Sequence, residues 1–569
     1  MALLCLKASQ HSRMRPTMCA CLSPCGRGQR KRFNKCEWVR GLGRRESATP
    51  HPFPRVESLG MPSPAGGYGS REFDSVISAA VACCQESVRE DFPIPARLAV
   101  VIHWPRRWLE AAMMAQEPVG VGYFGDVRRE QAGAILLERV VATGSLVLRK
   151  VGGDRAGELS AHRFLSSAHV TPEEILATVG TRTAAACAGR RIVAAQDTTE
   201  INFKGRHLRR EGLGPAADGR TPGFFCHAMV AIDADDEALL GVVHARIWTR
   251  SPEPVSARRS REIEDKESFR WVEASATAGD LLNSAAQLIV VGDREFDIYS
   301  QFVRVPPGVH LIIRAAHNRR LADDERLFDA PSDWRDFGTM EVRVPPSRPG
   351  DAGRIARVGL KAGRVCIVRP RHGAAIDPKT VTLTYLEVSE IKPPKGQTAI
   401  TWRLLTTLPV AGEPDEFAAA KEIVRLYRLR WRIEQVFRAM KSDGLRLEDT
   451  QVTQAARLFN LAAIALVAAA RTIQLVDARD GSARPASDVA DQGLIAAAEA
   501  IGPTLEGSTA RQKNPYQPGS LSWLSWIIAR LGGWNCYYKP PGPKTMRAGW
   551  NELAAMAVGY ALARAQHDV

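Results

Sequence analysis

Four polar residues are spaced so that a helix would bring them together: Tyr427, Arg430, Glu434 and Lys441. At 100° per residue they fall within about 60° of one another, which is one narrow helical face. A charged face is often only the solvated side of a helix, and this stretch is rich in arginine. Apolar residues occupy the positions around it, however, so little of the helix is free to be plain surface. The pattern therefore favours a functional site built from one carboxylate, two cations and one phenol.

Two aspartates stand in a matching context elsewhere in the chain. Asp197 and Asp293 each end a short apolar run, residues 191–197 and 287–293. Such runs are typical of buried central strands, with the aspartate at the carboxyl edge of the sheet. Considered alone, an aspartate after a strand is more often a turn or helix-capping residue. Together with Glu434, the two aspartates are predicted to converge on one site.

Three converging carboxylates indicate metal-dependent phosphodiester chemistry. Mg²⁺ prefers hard oxygen ligands. Two such ions about 3.5–4 Å apart can activate an attacking hydroxyl and stabilise the leaving oxygen. We expect Asp197, Asp293 and Glu434 to hold two Mg²⁺ ions, for which Mn²⁺ would substitute. Arg430 could then hold DNA phosphates through its bidentate fork, and Lys441 as a point charge.

The segment 427–441 resembles the YREK signature of the insertion-sequence-four group of DDE transposases, which includes the transposon-five type. Residues 196–199 (Gln-Asp-Thr-Thr) resemble the first catalytic aspartate motif of that family, and residues 291–297 (Val-Gly-Asp-Arg-Glu-Phe-Asp) resemble the second. The order Asp, Asp, β insertion, Glu is the order of the family on a ribonuclease-H-like fold. The resemblance extends from about residue 120 to about residue 555.

The same resemblance implies DNA contacts beyond the carboxylates. Trp402 matches the tryptophan on which the family stacks a base flipped out of the duplex, although the interval from Trp402 to Tyr427 is a few residues longer than in the transposon-five type. The other predicted DNA-binding residues are Tyr427, Arg430, Lys441, Arg314, Arg319 and Arg320, with Arg128 and Arg129 in a domain that binds the element end.

The predicted fold is α/β, a ribonuclease-H-like catalytic core interrupted by a mostly β insertion, with helical N- and C-terminal regions. The predicted divisions are a basic extension (1–115), a helical DNA-end-binding domain (116–186), the first part of the core (187–300), the β-rich insertion (301–410), the last part of the core with the YREK helix (411–478), and a linker with a helical C-terminal dimerisation region (479–569). Two explanations of the extension stay open. It is a disordered basic arm that touches DNA, or it reflects a start codon placed too far upstream of Met113.

Composition agrees with a nucleic-acid partner. The 569-residue chain carries a formal net charge of +15, and its pI is near 9.5, which favours a polyanion. Its eleven cysteines include no pair with zinc-ribbon spacing, so reduced thiols are expected. The longest clean apolar stretch, residues 461–470, is short of the roughly 20 residues that cross a bilayer. We therefore expect a cytoplasmic, nucleoid-associated protein that does not enter a membrane.

The resemblance implies a transposase that moves an insertion element by cut and paste. It would bind double-stranded DNA at the terminal inverted repeats and at the target, as a homodimer in a synaptic complex. Two alternatives remain. The first is a catalytically inactive DNA-binding protein derived from a transposase, and the second is a Mg²⁺-dependent nuclease that shares only the core.

Overall fold

Short apolar runs in the middle of the chain form the strands of a mixed sheet. The computed structural model describes residues 120–567, apart from residues 204–208, 217, 252–263, 265, 345–352, 372, 442–443 and 483. Within these residues the strands are β1 (Arg191–Asn202), β2 (Gly214–Pro215), β3 (Pro222–Asp233), β4 (Leu239–Trp248), β5 (Gln287–Gly292), β6 (Val309–Arg314), β7 (Gly338–Val344), β8 (Arg354–Val368), β9 (Thr380–Glu390) and β10 (Thr401–Thr406).

The described strands pair into one ten-stranded sheet. Its order is β2-β3-β1-β5-β6-β10-β9-β8-β7, and β4 pairs with β3. Strand β1 is antiparallel to β3 and parallel to β5, and β5 is parallel to β6. The remaining pairs, from β6 to β10 and onward to β7, are antiparallel. The chain therefore has a mixed α/β fold in which β1 lies near the middle of the sheet.

The central strands are buried on both faces, which explains their continuous apolar sequence. In β1, Ile192 and Ala194 join one core cluster, whereas Val193 and Ala195 join another on the opposite side. The alternation follows from the two-residue period of a strand. Both faces of the sheet are thus anchored before the chain reaches Asp197.

Helices cover the sheet and form the two ends of the described chain. They are α1 (Val127–Thr143), α2 (Leu148–Gly152), α3 (Arg155–Ser166), α4 (Pro172–Cys187), α5 (Phe269–Leu281), α6 (Tyr299–Val303), α7 (Glu416–Arg428), α8 (Trp431–Met440), α9 (Ala455–Ala478), α10 (Gln492–Ile501), α11 (Leu521–Leu531) and α12 (Pro543–His567). Residues of α5 and α6 pack in the cluster that contains Ile192 and Ala194, and residues of α8 and α9 pack in the other.

Local sequence signals explain where the first helices begin. The side chain of Asp126 accepts a hydrogen bond from the backbone N–H of Arg128 at the start of α1. Thr171 caps α4 in the same way, and Pro172 occupies its first turn, where the missing N–H has no cost. Both starts follow local sequence signals, an Asp or Thr at the capping position and, after Thr171, a proline in the first turn. The predicted extension, residues 1–115, lies outside the described residues, and the division into domains stays a prediction.

The β-rich region differs from the predicted insertion at its first strand. β6, which the prediction placed inside the insertion, pairs in parallel with β5. Leu311, Ile312 and Ile313 are buried on both faces, so the strand belongs to the centre of the sheet. The later strands then continue the same sheet through the pairing of β10 with β6. Burial on both faces hides the register of such a strand from a sequence pattern.

The C-terminal tryptophans lie inside the fold. Trp523, Trp526 and Trp550 are at most 7% exposed, and they pack in the core cluster that includes α9. The dimer contact that the sequence analysis assigns to this C-terminal region stays a prediction. The three side chains are occupied within one chain because α11 and α12 pack against each other and against α9.

One described helix, α9, is long and apolar enough to cross a membrane by length and composition. It spans 24 residues and so exceeds the ten-residue stretch that was apparent in the sequence. However, 83% of its most apolar window is buried inside the protein. Its neighbours include α1, α8 and β4, which is the environment of a core helix.

Candidate active site

Asp197 lies within β1 rather than at its end. The parallel pairing with β5 stops at Ala195, but the antiparallel pairing with β3 continues to Asn202. Asp197 therefore projects where one neighbouring strand has ended and the other still holds the backbone. Its Oδ1 accepts a hydrogen bond of 2.7 Å from the backbone N–H of Thr198. The prediction of a strand-end position was wrong for β1 itself and correct for the edge that faces β5.

Asp293 directly follows β5 and begins a short 3₁₀ turn. Its Oδ1 accepts a hydrogen bond of 2.9 Å from the backbone N–H of Glu295, so it caps the turn formed by residues 294–296. The capping role and a place beside Asp197 are compatible, because β5 and β1 are parallel neighbours. The cap uses Oδ1, and the other carboxylate oxygen, Oδ2, is not part of it.

The predicted YREK helix is broken into two helices. α7 ends at Arg428 and α8 begins at Trp431. The backbone N–H groups of Leu429 and Arg430 bond to carbonyls three residues earlier, at Leu426 and Tyr427, which tightens this turn toward 3₁₀ geometry. Lys441 lies just beyond the end of α8 in a non-helical conformation. The assumption of one continuous helical face was therefore wrong, although Arg430 and Glu434 still lie one turn apart.

Arg430 joins two of the three predicted carboxylates. Its Nη1 lies 3.3 Å from Asp197 Oδ2, and its Nη2 lies 2.7 Å from Glu434 Oε1. Arg430 is only 6% exposed, and a guanidinium presents its donors in a planar fork that can serve two acceptors at once. Two residues from distant parts of the sequence are thus held on one buried cation.

The electrostatics of Asp197 report how close the acidic groups are. Burial, together with the negative charges of Asp293 and Glu434, raises the pKa of Asp197 to about 7, while Arg430 acts in the opposite direction. Like charges in a poorly solvated site disfavour ionisation. Asp293 and Glu434 are therefore both close enough to Asp197 to act on its charge.

Tyr427, Trp402 and Lys441 surround this group. Tyr427 is 2% exposed, and its ring centroid lies 6.0 Å from that of Trp402. The Nζ of Lys441 donates a hydrogen bond of 2.6 Å to the backbone carbonyl of Glu200 and lies 3.5 Å from Glu448 Oε1. Lys441 thus contacts β1 three residues after Asp197.

The arginines predicted to contact DNA fall into different environments. Arg314 donates to the carbonyl of Thr401 at 3.2 Å, and it lies beside Tyr427. Arg128 and Arg320 have side chains that are 88% and 58% exposed. Arg129 donates to the carbonyl of Phe124. Except for Arg314, these arginines are not brought to the carboxylate group.

Arg319 is buried instead of facing outward. Its guanidinium donates to both the carboxylate and the carbonyl of Asp297, with Nη2 2.5 Å from Oδ1. Asp297 also accepts from the backbone N–H groups of Ala316 and His317. This ion pair closes the loop after β6, so the structure argues against the predicted phosphate contact of Arg319. Asp297 therefore supports the loop after β6.

A pair of substitutions separates these two roles. We expect Arg319→Ala to lower the free energy of unfolding by about 3–5 kcal/mol, because it leaves the buried carboxylate of Asp297 without a cation. Arg320→Ala should leave stability unchanged and reduce the salt dependence of DNA binding by about one counterion. Urea unfolding and binding at several salt concentrations measure both. A normal stability of Arg319→Ala with weaker DNA binding would restore the original prediction.

Three arginines that are not among the predicted DNA contacts lie close to this site. Arg270, on α5, donates to Thr198 next to Asp197. Arg294 and Arg403 line a cavity of about 290 Å³ together with Arg314 and Phe328. Three of its seven lining residues are arginines, and one is the aromatic Phe328. Arg294 follows Asp293 directly, which is the signal that could have identified it.

The donor chemistry of the group suits a hard cation. Asp197, Asp293 and Glu434 supply only carboxylate oxygens, which Mg²⁺ and Mn²⁺ prefer. Among the described residues, no three His, Cys, Asp or Glu side chains are arranged as ready-made ligands. Arg430 engages oxygens of Asp197 and Glu434 that a metal ion would need. The raised pKa of Asp197 is relieved by added positive charge, so the residues fit a divalent cation once Arg430 shifts.

A protein-family model matches the part of the chain that carries two of these carboxylates. Residues 272–471 match the model of a family described as "Transposase DDE domain". The matched segment contains Asp293, the two halves of the YREK sequence and Glu434, whereas Asp197 lies before it. The match supports a DDE transposase and thus a protein that binds DNA, and enzymes of this kind generally use divalent metals.

Proposed function

We propose that this chain is a transposase of the insertion-sequence-four (YREK) group that moves an element by cut and paste. The observation that carries the proposal is the bridge from Asp197 through Arg430 to Glu434, with Asp293 close enough to raise the pKa of Asp197. Three carboxylates from two strands and a helix are assembled in the order that the family uses. A turn or cap role for each aspartate would not require this assembly.

The arrangement of the strands supports a ribonuclease-H-like core. Strands β1, β3 and β4 form an antiparallel set, and β5 and β6 follow on the other side of β1, parallel to it. The order β4-β3-β1-β5-β6 places Asp197 on the central strand and Asp293 at the end of its parallel neighbour. α8 then packs against β1 and carries Glu434 to the same place.

Asp197, Asp293 and Glu434 would hold the divalent cations. When bound, Mg²⁺ supplies activation of the attacking hydroxyl and stabilisation of the leaving oxygen of a phosphodiester. The protein contributes the binding geometry. Asp197, whose pKa of about 7 leaves it partly protonated at neutral pH, would hold the cation as a carboxylate, and Arg430, once released from Asp197 and Glu434, could offer its fork to a phosphate oxygen.

The reaction sequence that we propose uses this one site repeatedly. Water attacks the phosphodiester at the element end, which breaks the bond to the 3′ oxygen and frees a 3′-hydroxyl. That hydroxyl attacks a phosphodiester of the opposite strand, expels the 3′ oxygen of the flanking DNA and closes the element end as a hairpin, which a second water opens. The regenerated 3′-hydroxyl then attacks a target phosphodiester. A homodimer that holds both element ends in a synaptic complex would couple the reactions at one end to those at the other.

The basic cavity beside Asp293 supports DNA contact on the far side of the site. Arg294 and Arg403 join the predicted contact Arg314 around it, and the guanidinium of Arg403 lies 4.2 Å from the ring centroid of Phe328. Phosphate contacts of this kind position a duplex without reading its sequence. They would guide the strand that leaves the carboxylates.

The test of the function is cleavage of the DNA that flanks the gene. Inverted repeats bracketed by a short direct duplication identify the element ends. A duplex with such an end should be nicked at its boundary in Mg²⁺ or Mn²⁺, and not in EDTA. Specific binding without nicking would instead favour the inactive DNA-binding protein, whereas cutting that ignores the repeats would favour a nuclease.

Trp402 is expected to act after the first nick. Its half-buried ring against Tyr427 could accept a base flipped from the duplex, which relieves the strain of a tight hairpin. Trp402→Ala should therefore reduce hairpin formation and opening by about tenfold or more, since aromatic stacking of a base contributes about 1–3 kcal/mol. First-strand nicking should change little, as gel assays of each step would show.

A second tryptophan provides the control for this experiment. Trp334 is also half-buried in the β-rich region, where its ring lies 5.8 Å from that of Tyr385. Trp334→Ala should lower stability without favouring one reaction step over another. Equal losses of nicking and hairpin steps in Trp402→Ala would assign Trp402 to the core.

A further inference from the structure

A chain of hydrogen bonds runs through polar side chains beside Asp197. It links, in order, Arg270, Thr198, His227, Gln196 and Ser275. The successive distances are 3.2 Å from Arg270 Nε to Thr198 Oγ1, 2.9 Å to His227 Nδ1, 3.0 Å from His227 Nε2 to Gln196 Oε1, and 3.1 Å from Gln196 Nε2 to Ser275 Oγ. His227 and Gln196 are completely buried, so water cannot replace the hydrogen bond between them.

The direction of every bond in this chain is determined. The hydroxyl of Ser275 donates to the carbonyl of Trp271, so its oxygen accepts from the amide N–H of Gln196. The Gln196 oxygen is then left as an acceptor, and His227 must carry its proton on Nε2. Nδ1 consequently accepts from the Thr198 hydroxyl, whose oxygen in turn accepts from Arg270. His227 is neutral in this arrangement, in agreement with burial that lowers its pKa.

Two neighbouring members of the chain, Thr198 and Arg270, connect the two aspartates. Thr198 follows Asp197, and its backbone N–H donates to Asp197 Oδ1. Arg270 Nη2 lies 3.2 Å from Glu295 Oε2, and the backbone N–H of Glu295 donates to Asp293 Oδ1. Arg270 therefore ties the segment of β1 that carries Asp197 to the turn that Asp293 caps.

We propose that Arg270, Thr198 and His227 are positioning residues that hold Asp197 and Asp293 in register. This inference rests on the proposed function, because it assigns a purpose to the register of two proposed ligands. A polar network with every partner satisfied is rigid, whereas apolar packing would tolerate small shifts. Displacement of a reacting group by about 1 Å can cost on the order of 100-fold in rate, so rigidity beside these carboxylates has a direct use.

Thr198→Val tests the chain with nearly constant side-chain volume. Removing the hydroxyl separates Arg270 from His227, so we expect a 10- to 100-fold slower nicking rate at saturating DNA, as is typical for residues that orient metal ligands. The affinity for the element end should stay within about twofold, since Thr198 is not placed among the DNA contacts. Thr198→Ser keeps the hydroxyl and should retain most of the rate.

Thr277→Val is the matched control. Thr277 lies on α5, as Arg270 does, and its hydroxyl bonds to the carbonyl of Glu273, outside the chain of bonds. This variant should nick at the normal rate. Arg270→Gln combined with Thr198→Val should be little slower than the slower single variant, because either substitution breaks the same connection.

Mn²⁺ binding to the DNA-free protein gives a readout that does not depend on cleavage. We expect Thr198→Val to bind Mn²⁺ about 10-fold more weakly than the unaltered protein by electron paramagnetic resonance, with Thr198→Ser unaffected. If the unaltered protein binds Mn²⁺ but nicks no element end, the proposed function fails. The Mn²⁺ affinity of Thr198→Val then still decides whether the chain of bonds positions the carboxylates. Equal Mn²⁺ affinity and equal nicking in Thr198→Val would overturn the proposal.

Histidine nitrogen NMR tests the chain directly. With His227→Gln used to identify the signal, the ring should appear as the neutral Nε2–H tautomer at pH 7, and it should keep this form in Thr277→Val. An Nδ1–H tautomer or an imidazolium would contradict the bond from the Thr198 hydroxyl to Nδ1 and would overturn the positioning role of His227.

Discussion

Glu434→Gln is expected to reduce metal-dependent nicking of the element end by on the order of 1,000-fold or more. The substitution removes one negative charge and keeps the shape of the side chain. Because the retained carbonyl oxygen of glutamine can still accept the 2.7 Å bond from Arg430, α8 should keep its place. A neutral amide, however, is a poor replacement for a carboxylate that holds a divalent cation. The loss should therefore appear in the chemical step.

DNA binding distinguishes this outcome from general damage. The affinity for the element end should be unchanged or slightly higher, since the site loses a charge that repels phosphate. Glu499→Gln, at an exposed position of α10, is the control for the same chemical change and should nick normally. Cleavage by Glu434→Gln at a rate near that of the unaltered protein would remove Glu434 from the site.

The three carboxylates of the candidate site could be picked out from the sequence because each occurs in a recognisable local pattern. Buried strands have continuous apolar residues, so the positions of Asp197 and Asp293 beside the centre of the sheet could be inferred. Helix caps at Asp126 and Thr171 were predictable for a similar reason, since each depends only on residues within one turn. Such local interactions can be predicted from the sequence without knowing which strands pair.

Features that depend on distant partners were not predictable. The helix break at Leu429 and Arg430 places Arg430 against Asp197, which lies on another element. The burial of Arg319 depends on Asp297 and on the loop after β6. His227 shows no ligand spacing in the sequence, and its bonds to Gln196 and Thr198 exist only because β3 pairs with β1. In each case a tertiary contact selected among several roles that the residue type allows.

Asp197→Asn is expected to abolish nicking and, at the same time, to stabilise the protein above neutral pH in the absence of divalent metal. Since the pKa of Asp197 is raised from 3.8 to about 7, the folded protein binds a proton there between these pH values and the unfolded chain does not. The free energy of unfolding must then fall as pH increases through that interval. Asparagine has no such proton to lose.

The difference between the two proteins isolates this effect. Other titrating groups contribute alike to both, so the stability of Asp197→Asn relative to the unaltered protein should increase from pH 4 to pH 8, by at most about 4 kcal/mol. Asp197→Asn also removes one of the two carboxylates beside Arg430, which lowers stability. This loss hardly changes with pH above 7, so it does not alter the pH dependence of the difference. Urea unfolding in EDTA at a series of pH values measures the difference.

Divalent metal should reverse the order of stability at pH 8. Mg²⁺ or Mn²⁺ that binds the folded state stabilises it by mass action, and the unaltered protein, which keeps all three carboxylates, should gain more than Asp197→Asn. The same cation neutralises the repulsion that raised the pKa of Asp197. The free energies of unfolding of the two proteins could instead run parallel with pH in EDTA and be raised equally by Mn²⁺. That result would show that Asp197 has no raised pKa and does not bind the metal. Divergence in EDTA that Mn²⁺ abolishes would instead mark the site as one in which function is retained at the expense of stability.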